Sequence, residues 1–425
     1  MKQKLGNLLL IFAGVVMSLI IIESGLRIIN NMKQNYYLKT QQEQGQIVLD
    51  YNAEFVARFY PEHPILDKHH ATNANLKSPF HGHPSDYLVF RTNNLGLRRD
   101  EDVSIEKPTG VRRVLVLGDS MTDGVIYNAE SYSTLLETKL NERLGKSYQV
   151  LNAGVAGYSP LQAYLLFKLE MYRLQPDVVI LAIYTGNEIM DLGNQLDDPS
   201  MMEVVQEAGY DINDPSLLLK TSWFSQAKWY SRRNLKLYPI VWQAKNAIYN
   251  SWQGNKQATS VDVRPGEPAN LENLPGSASV MGQVMRQAVI AKDNPETAEA
   301  AFRLQEIILQ RFAQRVEELG AKFLVIVIPT KLQIEPDDDH EKSDAVAEIV
   351  GLEGEALHFD EQVGKRTVQM CEDNQILVLD LEPALHATRI KEKVSFFWRQ
   401  DWHLNIAGNE TVATAIDEAH YNGEW

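Results

Sequence analysis

Short aliphatic runs alternate with segments of helical period along much of this chain, and no other feature constrains the fold as much. RVLVLG (113–118) precedes YSTLLETKLNERLG (132–145), where Leu136, Leu140 and Leu144 share a helix face and Gly145 supplies a stop. YQVLNAG (148–154) reads as a second strand. SPLQAYLLFKLEMYRL (159–174) reads as a second helix, with Ser159 as N-cap, Pro160 at the first helical position and Gln162 completing a capping box. PDVVILAIY (176–184) is a third strand. After an interruption the pattern resumes. AEAAFRLQEIILQRFAQRVEELG (298–320) sets Ile308, Phe312, Val316 and Leu319 on one face. KFLVIVIP (322–329) and ILVLDL (376–381) are strands four and five. FDEQVGKRTVQMCEDNQ (359–375) and NIAGNETVATAIDEAH (405–420) are helices. Strands alternating with helices predict βαβ units and a five-stranded parallel sheet, an α/β fold.

In an open parallel sheet, functional residues gather at the carboxyl ends of the strands. Strand one ends at Gly118, Asp119 and Ser120. Strand two ends in NAGVAGYS, with Asn152, Gly154 and Gly157. Strand three ends in YTGNEIMD, with Gly186, Asn187 and Glu188. QDWHLN, with Asp401, His403 and Asn405, stands before the last helix. This is an inventory for acyl transfer. Ser120 attacks a carbonyl only if a base takes its proton, and a near-neutral imidazole such as His403 can accept that proton and return it. Asp401 is placed to orient the imidazole. The oxyanion formed on attack needs donors, for which the backbone N–H groups of Ser120 and Gly157 and the Asn187 amide are suited. Taken singly, these residues have structural readings too: Ser120 as a helix cap, Asn187 as a turn residue, His403 as a helix-start histidine, the glycines as close-packing points. Phosphate binding fits GDSMTDG poorly, because two aspartates repel phosphate and no P-loop lysine follows.

GDSMTDG, NAGVAG, GNE and DWHLN, in that order, resemble the four sequence blocks of the SGNH (GDSL) hydrolase superfamily. The likeness covers residues 90–192 and 298–420. It implies a flavodoxin-like three-layer α/β/α fold and hydrolysis or transfer of acyl groups, with no cofactor and no metal. By position it makes Ser120 the nucleophile and His403 the base. Ser120, Gly157 and Asn187 form the oxyanion hole, and Asp401 is the carboxylate partner. Two blocks depart from the family pattern. Gly186 adjoins Asn187 instead of standing two residues before it, with Glu188 in place of an aspartate. In the last block Gln400 stands three residues before His403, where the family has its aspartate, and Asp401 stands two before. Glu188 is the alternative carboxylate.

The flanking segments suggest where such an enzyme would work. Lys2 and Lys4 precede LGNLLLIFAGVVMSLIII (5–22), apolar except for Asn7 and Ser18 and close to the roughly 20 residues a membrane-spanning helix needs. No A-x-A-like cleavage site follows. An uncleaved signal anchor is expected, spanning the membrane once with the catalytic domain on the extracytoplasmic, periplasmic side. The N-terminal basic residues and NNLGLR (93–98) also resemble membrane-tethered bacterial members of the superfamily. The chain then divides into an anchor (1–30), a polar lead-in (31–112), a first core part (113–192), an inserted cap (193–297) and a second core part (298–425). The lead-in holds five histidines, His63, His69, His70, His81 and His83. Without supporting carboxylate spacing they read as solvated loop residues rather than metal ligands. The insertion is rich in aromatics, with Trp223, Trp229, Trp242 and Trp252 among them, and these are expected to form the core of a small helical cap. A sugar-stacking or lipid-facing role is the alternative. QGNKQATSVDVRPGEPANLENLPGSAS (253–279) reads as a polar loop.

Composition narrows the partners. A net charge of −15 argues against nucleic acid. The lone cysteine, Cys371, rules out an intramolecular disulfide and a cysteine-based zinc site. Two function classes remain. One is an anchored serine esterase or O-acyltransferase acting on a small-molecule or carbohydrate ester, or on another cell-envelope ester. The other is a non-enzymatic, membrane-tethered binding or assembly protein that keeps the fold.

Overall fold

A computed structural model of the chain describes residues 53–63, 65–145, 147–219, 223–235, 237–238, 280–336, 351–353, 356, 358–399, 401–423 and 425, with residues 14, 17–28, 32 and 47–48 nearer the N-terminus. Two compact units are formed. The larger comprises residues 48–221 and 260–425, and the smaller comprises 1–47 and 222–259.

The larger unit begins with helix α1 (Ala53–Phe59) and an antiparallel hairpin of β1 (Asn75–Pro79) and β2 (Tyr87–Arg91). The central sheet follows: β3 (Arg112–Leu117), β4 (Tyr148–Asn152), β5 (Val178–Tyr184), β6 (Lys322–Ile328) and β7 (Leu377–Asp380), all parallel. Their spatial order is β7-β6-β5-β3-β4. Counted along the sheet's own strands this is the flavodoxin-like order 2-1-3-4-5, whose switch point lies between its first and third strands. Here that crevice opens between the ends of β3 and β5, where Ser120 and Asn187 follow.

Further helices, in chain order, are α2 (Tyr132–Leu144), α3 (Pro160–Leu169), α4 (Glu188–Gly193), α5 (Pro199–Glu207), α6 (Trp223–Asn234), α7 (Val280–Asp293), α8 (Pro295–Glu318), α9 (Phe359–Asp373), α10 (Glu382–Glu392) and α11 (Ile406–Tyr421); α6 belongs to the smaller unit and the others to the larger. Alternation along the strands divides the core in two. Val114, Val116, Ile180, Ala182, Leu324 and Ile326 face Leu136 and Leu140 of α2, Leu385 of α10 and Val412 and Ile416 of α11. On the opposite face Phe312 of α8 stacks on Phe323 of β6 at 4.8 Å between ring centroids and packs on Phe167 of α3 at 5.2 Å. A buried sheet with helices on both faces is the three-layer arrangement expected.

Local signals in the sequence act as anticipated. The Ser159 hydroxyl accepts from the Gln162 N–H, and the Gln162 side chain returns the capping-box bond. Gly145 closes α2 in the left-handed conformation, at φ 57°. The helix expected over 159–174 is shorter. It stops at Leu169, and Met171–Leu174 forms a 3-10 turn ended by left-handed Gln175.

Two expectations are corrected. The lead-in from residue 53 onward is not a polar spacer, because Phe55, Phe59, Leu66, Leu76, Leu88 and Phe90 are buried core residues. Nor are its histidines uniformly solvated: His70 and His83 are buried, His63 and His69 are partly covered, and His81 is exposed. His70 lies 4.9 Å from the Phe59 ring of α1 and 5.1 Å from the Tyr60 ring, and His83 lies 4.9 Å from Tyr127.

In the smaller unit residues 17–28 are helical, with Met17, Leu19, Ile20, Ile21 and Ile22 exposed. Among the described residues no helix is long and apolar enough to cross a membrane. Residues 5–13, 15 and 16 of the apolar run lie outside them. On α6, Trp223, Phe224 and Tyr230 are 68%, 66% and 59% exposed, so these three do not form the core of a cap. Trp242, Tyr249, Trp252 and the segment 253–279 lie outside the described residues.

Candidate active site

β3 ends in Leu117, and the chain turns at once into a single helical turn, Ser120–Asp123. Asp119 caps it, accepting from the Met121 N–H at 2.9 Å. Gly118 and Gly154 make this turn possible. A Cβ at Gly118 would stand 2.3 Å from Thr122 Oγ1, and one at Gly154 would stand 2.5 Å from Thr122 Cβ and 2.6 Å from the Asp123 nitrogen. Asn152, at the end of β4, locks the same contact by donating to the Thr122 carbonyl at 2.7 Å. From the other side, the Tyr132 hydroxyl donates to Thr122 Oγ1 at 2.9 Å.

The second half of the site comes from the loop before α11. Phe397 bridges to Leu404, and the Trp398 N–H donates to the His403 carbonyl at 2.9 Å, which closes the loop on itself. Gly408 lets it approach α11: a Cβ there would collide with the Phe396 carbonyl at 2.2 Å. Buried Glu335 receives the Phe396 N–H and the Ser395 hydroxyl. At the tip Trp402 adopts φ 68°, a left-handed conformation rare for a bulky side chain and retained here because its indole is buried. On either side of it, Asp401 Oδ1 accepts from His403 Nδ1 at 2.5 Å and from the His403 N–H at 3.2 Å. His403 Nε2 is buried and has no partner among the described residues.

The electrostatics follow from this geometry. Burial disfavours the charged imidazole, but Asp401, with smaller help from Asp119 and Asp123, outweighs it and holds His403 above its ordinary value. Burial also raises Asp401, yet attraction to His403 and their hydrogen bonds leave it below the usual carboxylate range. Burial dominates at Asp119 and pushes it up, opposed by the Met121 N–H, His403 and the Asn187 amide.

A cavity of about 480 Å³ brings these pieces together. Its wall includes Ser120, Gly157, Asp401 and His403, with Tyr60, Phe80 and Phe90 contributed by the lead-in. The size suits a small organic group. Gly157 lies there at φ 76°, in the left-handed region that favours glycine. Of the residues singled out by sequence, Asn187 and Glu188 are not part of that wall. Asn187 is 3% exposed, and its amide donates to Asp119 Oδ2 at 3.3 Å. Glu188 is buried, and burial pushes its carboxyl well above the ordinary range. Gln400 lies outside the described residues. Among the described residues no group of side chains is arranged to hold a metal ion.

Residues 286–423, which contain Asp401 and His403, match the family model described as "SGNH hydrolase-like domain, acetyltransferase AlgX". Over those residues the chain resembles an SGNH hydrolase-like domain. No curated protein matches it in sequence. Solved structures similar to it include LAE5, an alpha/beta hydrolase enzyme from the metagenome of Lake Arreo, at 14% identity over 72% of this chain and 94% of that one, with a TM-score of 0.36. Another is Axe2, an acetylxylan esterase from Geobacillus stearothermophilus, at 13% identity, 72% and 93% coverage and a TM-score of 0.35. A two-domain esterase, CEX, active on acetylated mannans, is 8% identical, with 74% of this chain and 50% of that one covered and a TM-score of 0.34.

The cavity is also built on residues that motif reading did not single out. Asp123, the second aspartate of GDSMTDG, is a hub. Its Oδ2 accepts from the Tyr60 hydroxyl at 2.5 Å, His70 Nε2 at 3.2 Å and the Ala156 N–H at 3.1 Å, and its Oδ1 accepts from Arg98 at 2.9 Å. Burial alone would raise Asp123; His70, Arg98 and Tyr60 reverse this and hold it well below the carboxylate range. Arg98, from NNLGLR, is 2% exposed and also donates to Asn128 and to the Ile126 carbonyl. The lead-in is thereby fastened to the serine turn. Arg98 lay within a quoted motif, whereas nothing in the spacing of Tyr60 or His70 announces Asp123 as their partner.

Proposed function

We propose that this protein is a serine esterase or O-acyltransferase working through an acyl-enzyme. One observation carries the reading: Asp401 holds His403 by Nδ1 and leaves Nε2 without a partner among the described residues, and His403 and Ser120 line the same cavity. In this reading the Ser120 hydroxyl attacks the ester carbonyl. Its proton passes to His403 Nε2 as the Oγ–C bond forms, and the carbonyl electron pair moves onto oxygen. The backbone N–H groups of Ser120 and Gly157 receive that oxyanion. Collapse breaks the bond to the alcohol, which leaves with the proton from His403. Water or an acceptor hydroxyl then gives its proton to His403 and attacks the acyl carbon; the Ser120 Oγ–acyl bond breaks as His403 returns the proton to Oγ. Asp401 fixes the tautomer and balances the imidazolium. Asn187 steadies Asp119 and through it the start of the serine turn.

The substrate in this proposal is an acylated carbohydrate or another cell-envelope ester. The rings of Tyr60, Phe80 and Phe90 beside Ser120 suit the apolar face of a sugar, and the acetyltransferase named in the matching family description favours a short acyl group. The apolar run 5–22 behind Lys2 and Lys4 supports a single-pass anchor with the enzyme on the extracytoplasmic side. The test is to incubate the protein with a short-chain activated ester, with and without a polysaccharide acceptor. Release of acid alone marks an esterase, acylated acceptor marks a transferase, and neither product contradicts the reading. For the anchor, full-length protein should stay in membranes through alkaline carbonate washing. Recovery in soluble form with a new N-terminus near residue 25 would contradict it.

A further inference from the structure

Among the described residues the cavity wall contains one lysine, Lys68, which the roles described so far leave unused. It lies in a two-residue strand, Asp67–Lys68, paired with Glu62–His63. Its ammonium nitrogen stands 3.3 Å from where a Cβ would be at Gly157. The Tyr60 ring lies 5.1 Å from that nitrogen and orients it. Among the described residues no carboxylate lies within ion-pair distance of it. Asp123 acts on it from the serine turn, Asp67 from its own strand and Asp191 from α4, while Glu62 stands across the strand pair. Asp123 is already committed to Tyr60, His70, Arg98 and the Ala156 N–H.

A half-buried cation without a counter-ion is costly, and the cost is recovered where negative charge develops beside it. In the acyl-transfer reading, negative charge develops at the carbonyl oxygen between Ser120 and Gly157. The Asn187 amide is turned to Asp119, and Asn187 does not line the cavity. Lys68 does.

We infer that Lys68 is a catalytic residue of the oxyanion site, its ammonium facing the oxygen that Ser120 and Gly157 receive. The inference rests on the acyl-enzyme reading. No proton moves: the ammonium stays charged through both tetrahedral intermediates and needs no co-reactant. Burial lowers the proton affinity of Lys68, with Asp123, Asp67 and Asp191 opposing, so its charge is lost at a lower pH than that of a free lysine.

The experiment compares wild type, Lys68→Met, Lys68→Arg, Asn187→Ala and Ser120→Ala in two assays. One is turnover of a neutral short-chain ester across pH. The other is the rate of labelling by a fluorophosphonate, whose attack develops the same kind of oxyanion. Wild type should label at Ser120, and Lys68→Met should lower kcat and the labelling rate by about 10²-fold, with KM within about twofold. Lys68→Arg should restore part of the loss. The wild-type rate should fall on the alkaline side below the ordinary lysine range, and Lys68→Met should lack that limb. A merely structural lysine would alter stability without removing a pH limb. Unchanged kcat and labelling in Lys68→Met overturn the inference, as does a loss confined to KM for anionic esters, which would make Lys68 a substrate anchor. So does a large loss in Asn187→Ala alone, which would return the role to Asn187. If wild type is not labelled at Ser120, the acyl-enzyme reading itself has failed and the inference falls with it.

Discussion

The Trp398 indole donates to the Val125 carbonyl at 3.0 Å, joining the loop that carries Asp401 and His403 to the segment just after the serine turn, 273 residues away in sequence. Phe80 packs on the same indole at 5.4 Å between centroids, and His83 lies at 5.9 Å. Trp398→Phe keeps the ring contacts and removes the N–H. It should cost about 1 kcal/mol of stability. Turnover should fall by about 10- to 100-fold, because small misplacements of reacting groups are expensive. Denaturant midpoints and steady-state kinetics check both. Unchanged turnover would mean that the two loops hold their places without this bond.

Asp401→Asn should leave the fold intact and lower kcat by about 10⁴, since the imidazole tautomer is no longer fixed. His403→Ala should lose at least as much. The pH profile gives an independent reading. His403 must be neutral to accept the Ser120 proton, so activity falls as pH drops through its pKa, which Asp401 holds above the ordinary histidine value. The acid limb of kcat/KM should therefore lie above about 6.5 in wild type and move down in Asp401→Asn. Near-normal turnover in Asp401→Asn would leave a Ser–His pair acting without this carboxylate.

The Asp123 hub should govern acid stability. Its folded pKa is depressed below the value of 3.8 for a free aspartate. Its contribution is thus fully present above that value and is lost as pH falls from there through the folded pKa. Denaturant stability followed from pH 7 downward should drop less steeply below about pH 4 in Asp123→Asn than in wild type. Asp123→Ala should cost about 3–5 kcal/mol at neutral pH, because Arg98 is left buried without its partner. A loss under 1 kcal/mol would show that solvent or another group replaces the carboxylate.

The five strands, the capping of α3 and the end of α2 were legible in the sequence because each depends on neighbours within a few residues: short aliphatic runs, Ser159 with Gln162, Gly145. Ser120, Gly157, Asp401 and His403 were legible because strand ends and short motifs place them on one cavity. The Asp-x-His spacing brings Asp401 onto His403 Nδ1 through the left-handed backbone of Trp402, which no propensity would assign to a tryptophan. Asn187 was read as an oxyanion donor from its motif, but its direction depends on Asp119, 68 residues away. His70 and Tyr60 were missed for the same reason, since a buried histidine is recognisable only through the carboxylate and rings that surround it.

Gly154 offers a packing test. A methyl group there meets Thr122 Cβ and the Asp123 backbone inside contact distance, whereas one at Gly193 meets nothing closer than 3.7 Å. Gly154→Ala should cost about 1–3 kcal/mol and lower turnover by displacing the serine turn. Gly193→Ala should leave both near wild type. Equal behaviour of the two variants, by calorimetry and kinetics, would contradict the close approach of β4 to the turn.

The acyl-enzyme is the centre of the account, and trapping it is the most direct measurement. Protein mixed with an activated acetyl ester, acid-quenched within the first turnover and digested should yield one acetylated peptide, the one containing Ser120. His403→Ala should accumulate the adduct much more slowly, and Ser120→Ala should give none. The absence of any adduct in a wild-type protein that hydrolyses the ester, or equal acetylation of wild type and Ser120→Ala, would contradict the assignment of Ser120 as the nucleophile.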